Sequence, residues 1–141
     1  MARWRAAAIE RLPELRDVIA AASNVMALWT EIQFLFHKAY EEPRNDDLIA
    51  RIYSYADWCA SAPSGPDAGH DAPTAVTICF YEHVPTDPKA RQDMPRWFRY
   101  EEVVLMKQVF SYLTGEREYE NLLVFMSQNR HRYVPRETTP K

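Results

Sequence analysis

Glu82 and His83 are the two adjacent side chains of this sequence with the most chemistry to offer. They close the segment 74–84, Thr-Ala-Val-Thr-Ile-Cys-Phe-Tyr-Glu-His-Val, which reads as a helix. On a helical wheel Glu82 falls between Ile78 and Ala75, and His83 falls beside Val76 and Cys79. Two ionisable groups therefore sit inside an apolar arc. A carboxyl so placed must find a partner or hold its proton more tightly, and such groups gather at active sites. A hydrogen bond or salt bridge to an arginine or tyrosine of a neighbouring helix is the simpler expectation. With Tyr53 and Asp57, Glu82 and His83 make up a candidate polar site.

Other chemistry finds less support. The histidines, His37, His70, His83 and His131, include no pair at i, i+3 or i, i+4, and no Glu-x-x-His spacing occurs. Cys59 and Cys79 are not in a Cys-x-x-Cys pattern, so no metal and no other cofactor is expected. Ser54, Ser61, Ser64 and Ser111 lack a Gly-x-Ser-x-Gly context, and three glycines leave no phosphate-cradling loop. Cys79 and His83 at i, i+4 read as packing neighbours before they read as a thiol pair.

Aromatic residues give the competing reading. Tyr53, Tyr55, Trp58, Phe80, Tyr81, Trp97, Phe98 and Tyr100 flank a loop over residues 61–73 that holds three of the ten prolines and two of the three glycines. Trp58 falls on the wheel beside Arg51, and Trp97 stands between Arg96 and Arg99 in a short Pro95 to Tyr100 segment. Exposed tryptophan and tyrosine near arginine are the residue types of binding hot spots. Trp58, Trp97, Tyr100 and Arg51 are the candidate interaction surface. Aromatics filling gaps between helices of unequal length would give the same pattern.

The elements that must position these groups are helices. Leu48, Ile52, Tyr55 and Cys59 recur at i, i+4, i+7 and i+11 in a segment that Asn45 or Asp46 can cap. Ile49, Tyr53 and Ala56 widen its apolar arc to nearly half the circumference, which predicts a central helix with partners on two sides. Val25, Leu28, Trp29, Ile32, Leu35, Phe36, Ala39 and Tyr40 predict a long helix over 25–41, capped by Ser23 or Asn24, with Phe34 on its far side. Pro13 opens a helix over 13–20, and Pro88 opens a single turn through Met94 that Pro95 breaks. Val103, Met106, Phe110 and Leu113 form one face of a helix over 99–114, with Leu105, Val109 and Tyr112 beside it, and Gly115 stops it. Tyr119, Leu122, Leu123 and Met126 line the core face of the last helix. Val76, Ile78 and Phe80 alternate as in a strand, but no second strand exists to pair with them. The fold expected is all-α: a single-domain irregular helical bundle over 1–132, or a short array of antiparallel helix pairs, followed by a flexible basic tail over 133–141.

The 141 residues are 47% hydrophobic and 26% charged, the balance of a globular chain and not a disordered one. A net charge of −3 argues against a nucleic-acid binder, although residues 128–141 carry a net +3. No run of 18 apolar residues or signal-peptide core is present, and two cysteines in apolar surroundings read as reduced thiols of a cytoplasmic protein. At Tyr53-Ser54-Tyr55-Ala56-Asp57-Trp58-Cys59 and Phe80-Tyr81-Glu82-His83-Val84-Pro85 the chain resembles a family of small uncharacterised α-helical bacterial proteins. The resemblance runs from about Pro13 to Met126 and implies no activity. Two functions are therefore expected to compete. The first is a non-enzymatic protein-interaction module, monomer or homodimer, with a protein partner and no nucleic acid or membrane. The second is a small ligand-binding protein or enzyme using Glu82 and His83.

Overall fold

The computed structural model describes residues 1–136. The chain is all-α, and no strand occurs among the described residues. Among the described residues nine α-helices are joined by turns and 3-10 segments: α1 Arg3–Arg11, α2 Arg16–Ala21, α3 Val25–Ala39, α4 Asp46–Ala60, α5 Ala72–Cys79, α6 Pro88–Trp97, α7 Tyr100–Leu105, α8 Lys107–Ser111 and α9 Glu116–Gln128. Among the described residues no helix is long and apolar enough to cross a membrane. The chain packs as two compact units, Met1–Tyr81 and a second that begins at Glu82.

In the first unit α4 is the central helix. Asn45 Oδ1 accepts from Leu48 N at 3.1 Å, and Asp46 and Asp47 occupy the first turn, where the helix dipole favours negative charge. Ile49, Ile52, Tyr53, Tyr55, Ala56 and Cys59 are all buried, and α1, α3 and α5 pack around them. The wide apolar arc thus has the several partners that it demands. On α3, Asn24 Oδ1 accepts from Ala27 N at 2.8 Å, and Val25, Leu28, Trp29, Ile32, Phe36 and Ala39 form the buried stripe. Phe34, off that stripe, is 65% exposed.

Polar side chains clamp the N-terminal helices to this core. Arg5 Nη2 donates to Ala22 O at 2.6 Å, satisfying a carbonyl at the end of α2. Tyr55 OH donates to Trp4 O at 2.9 Å. Arg51 binds Glu14 through two bonds of 2.7 and 2.5 Å, Asp47 at 2.9 Å and Arg11 O at 3.0 Å. The Arg51 guanidinium holds the Glu14 carboxyl below its usual range. Pro13 begins a 3-10 turn, Pro13–Leu15, and the α-helix proper starts only at Arg16.

The loop before α5 is shorter than its composition suggests, because Asp71 already caps α5 from Ala72 onward. Asp71 accepts from Thr74 N at 3.0 Å and, across the loop, from Gly65 N at 2.6 Å. A Cβ on Gly65 would meet His70 O at 2.0 Å, so only glycine fits there. The segment 74–84 is helical only in its first half. α5 ends at Cys79, Phe80 adopts φ −125° and ψ −67°, and Tyr81–Thr86 continue as a 3-10 helix. Phe80 leaves the helix to enter the aromatic core, with ring centroids 4.8 Å from Phe36, 5.0 Å from Trp29 and 5.3 Å from Tyr53.

In the second unit Asp87 caps α6 by accepting from Lys89 N at 2.9 Å, with Pro88 in the first turn. Pro95 does not break this helix, contrary to the sequence expectation. It lies in the last turn, where a missing donor costs a single backbone bond, and Met94, Pro95 and Trp97 are buried. The helix expected over 99–114 is instead two, interrupted at Met106 (φ −100°, ψ 31°). Tyr119 OH donates to Val103 O at 2.8 Å, taking one of the carbonyls that α7 leaves open at its end. Gly115 has φ 91°, a left-handed conformation that stops the chain before α9, whose Tyr119, Leu122 and Met126 are buried. Residues 133–136 are not a free tail: Val134 N donates to Arg96 O at 3.2 Å and Arg136 Nη1 to Trp97 O at 2.7 Å. The remainder of the expected tail, 137–141, lies outside the described residues.

Candidate functional site

The four residues of the candidate polar site divide between the units. Tyr53 and Asp57 lie one turn apart on α4. Tyr53 is wholly buried, its ring edge-on to Phe36 at 5.6 Å and to Phe80, so it belongs to the aromatic core. Asp57 is half-buried, and its backbone carbonyl accepts from Ser61 Oγ at 3.0 Å. Glu82 and His83 are adjacent at the start of the second unit, both half-buried. Because α5 ends at Cys79, they do not continue its apolar face, and the wheel that places them there does not apply. Their 3-10 turn is tied instead by Thr86 Oγ1, which donates to His83 O at 2.6 Å.

Burial raises the Glu82 carboxyl above its usual range. A raised folded-state pKa means that the native state holds its proton more tightly than the unfolded chain does. Its contribution to stability is then present below the unfolded value and is lost as pH rises through the folded one. Glu82→Gln is accordingly expected to match the parent in urea midpoint near pH 3.5 and to exceed it near pH 7. Equal midpoints at both pH values would show that the carboxyl is not desolvated.

The thiols divide as well. Trp29 Nε1 donates to Cys59 Sγ at 3.4 Å, and burial pushes the Cys59 thiol up to about 12. At neutral pH that group is a protonated core side chain and no nucleophile. Burial also pushes the Tyr55 phenol upward, and its hydroxyl is spent on Trp4 O. Cys79 is half-buried and not fully in the core, with Sγ 4.0 Å from Met26 O, and neither cysteine forms a disulfide. Among the described residues no three of His, Cys, Asp and Glu converge as metal ligands. His70 Nδ1 is 2.8 Å from Asp67 in the exposed loop, while His37 lies half-buried on α3 and His131 is exposed after α9.

The candidate interaction residues are differently employed from one another. Trp58 is half-buried and stacks on Tyr55 at 6.1 Å and 7°; Tyr55 in turn stacks on Trp29 at 5.4 Å and 15°. Arg51 is taken up by Glu14, Asp47 and the Arg11 carbonyl. Trp97, read from the sequence as a surface residue, is only 4% exposed, and its Nε1 donates to Asp93 Oδ2 at 3.0 Å. Its amphipathic neighbours mislead: Arg96 and Arg136 cover the indole instead of marking it as open surface. Tyr100 is half-buried under the Arg130 guanidinium, 4.2 Å from its ring centroid.

Exposed apolar side chains that sequence reasoning missed occur between the start of α7 and the middle of α9: Leu105 is 85% exposed and Tyr112 72%, and Val104, Leu113 and Val124 are exposed as well. The sequence assigns Leu113 to the core face and Leu105 and Tyr112 beside it. The interruption at Met106 resets the helical register between them, so a wheel drawn through 99–114 misplaces all three. The chain matches no family model, no curated protein and no solved structure.

Proposed function

We propose that the chain is a non-enzymatic protein-interaction module and that its partner docks on the exposed apolar side chains of α7 to α9. The observation that carries this reading is where the large apolar side chains stand exposed. Of nine among the described residues, five fall between Val104 and Val124. Single exposed apolar residues are ordinary, whereas a concentration of them on a few short helices is the mark of a docking face. Tyr112 supplies the amphipathic aromatic type that binding hot spots favour.

A photo-crosslinking residue at position 105 is expected to give one discrete protein adduct in cells, while the same residue at Phe34, which is also exposed, gives none. Adding Tyr112→Glu should abolish the adduct and shift stability by no more than about 0.5 kcal/mol, the usual range for exposed positions. An adduct of twice the chain mass would identify the partner as a second copy. Equal labelling from positions 105 and 34 would sink the reading. The second function, a small ligand-binding protein or enzyme using Glu82 and His83, has in its favour that the two side chains stand adjacent and half-buried in the 3-10 segment Tyr81–Thr86.

A further inference from the structure

The second unit has another surface, where residues 133–136 return to the end of α6. The bonds from Val134 N to Arg96 O and from Arg136 Nη1 to Trp97 O lay these residues beside 96–99. There the guanidiniums lie against rings: Arg96 4.8 Å and Arg136 5.7 Å from the Trp97 centroid, and Arg99 5.3 Å from that of Tyr133.

A guanidinium over a ring face is held by the ring quadrupole. It carries five N–H donors in a planar fork that matches the two oxygens of a carboxylate or phosphate. Among the described residues the nearby carboxylates are already engaged. Asp93 takes Trp97 Nε1 and lies 3.8 Å from Arg132, Glu101 takes Arg130 at 3.1 Å, and Glu102 accepts from the backbone N of Arg99 at 2.8 Å. Arg96 and Arg99 are exposed, and neither pairs with a carboxylate among the described residues. Shielding of Trp97 and Tyr133 is one role of these side chains; it leaves the charges of Arg96 and Arg99 without a carboxylate counterion among the described residues.

We propose that the ledge formed by Arg96 and Arg99, with Arg136 alongside, binds the oxyanions of an acidic segment in a protein partner. The partner's class rests on the reading of the chain as an interaction module; the ledge itself does not use the apolar surface. Nucleic acid fits less well. The chain has net charge −3, residues 82–141 carry ten cationic against nine anionic side chains, and a strand of phosphates demands a long basic track. The rings here are also covered by their own guanidiniums, which leaves bases less aromatic face to stack on.

The test is fluorescence anisotropy with a short labelled peptide of alternating glutamate and serine. Its glutamine counterpart and an oligothymidylate of equal length serve as competing probes. The full chain is expected to bind the glutamate peptide and not the glutamine one, and the affinity should fall with added salt. R96Q/R99Q should weaken binding about tenfold or more with its melting curve unchanged, and R96K/R99K should weaken it too, because lysine keeps the charge and loses the fork. R3Q/R16Q, which removes the same charge from exposed positions of the first unit, should leave binding at the parent level. L105E/Y112E should also leave it intact, so loss of the crosslink with peptide binding preserved separates failure of the docking face from failure of the ledge. Any of four results overturns the proposal: equal binding of the glutamine peptide, tighter binding of oligothymidylate, unchanged binding by R96Q/R99Q, or equal weakening by R3Q/R16Q.

Discussion

Trp29→Ala is expected to destabilise the chain by about 3–5 kcal/mol, the range for emptying a large aromatic site in a packed core. Trp29 is wholly buried on α3. It stacks on Tyr55 of α4 and lies 5.0 Å from Phe80, where α5 ends, so one ring joins three elements. Its removal leaves Tyr55 and Phe80 without their shared neighbour and Cys59 without the indole donor at 3.4 Å. Trp29→Phe keeps much of the ring contact and loses the donor, so a smaller loss of about 1–2 kcal/mol is expected. Urea denaturation followed by far-ultraviolet circular dichroism measures both. Similar small losses for the two substitutions would mean that the ring is peripheral to the cluster and that Phe80 is held by something else.

The parts of this fold that were legible in the sequence are those written in one helix at a time. The stripes of α3 and α4 and their asparagine caps follow from spacing and from which side chains can accept a first-turn N–H, and the structure has them at those places. The interruptions were not legible, because distant residues decide them. α5 stops where Phe80 turns toward rings from α3 and α4, and α7 stops where a hydroxyl from α9 takes Val103 O. Neither partner is visible in the local pattern. Pro95 shows the converse: a residue that reads as a breaker is tolerated when it falls in a final turn with buried neighbours. The candidate site suffered accordingly. Residues judged on wheels that ran through an interruption, Glu82, His83, Leu105 and Tyr112, were assigned to the wrong faces, whereas Tyr53, on an uninterrupted α4, was placed correctly as a residue of its apolar arc.

Trp97→Ala is the sharpest test of that difference, because sequence and structure assign the residue opposite roles. As a surface hot spot it would tolerate truncation, losing a partner and little stability. As the structure has it, the indole is 4% exposed, donates to the buried Asp93 at 3.0 Å and carries Arg96 and Arg136 on its ring. Truncation then opens a cavity, takes a donor from a carboxylate that is itself 6% exposed, and releases two guanidiniums from the face that orders them. A loss of about 3–5 kcal/mol is expected. Trp97→Phe retains a ring for the arginines and removes only the N–H, so about 1–3 kcal/mol is expected, the cost of withdrawing a donor from a buried acceptor. Tyr112→Ala, at a position that is open, should move the urea midpoint by an amount equivalent to about 0.5 kcal/mol or less. If Trp97→Ala and Tyr112→Ala proved equally mild, the indole would be a surface group after all. The arginines stacked on it would then lose the fixed ring that presents them to an anion.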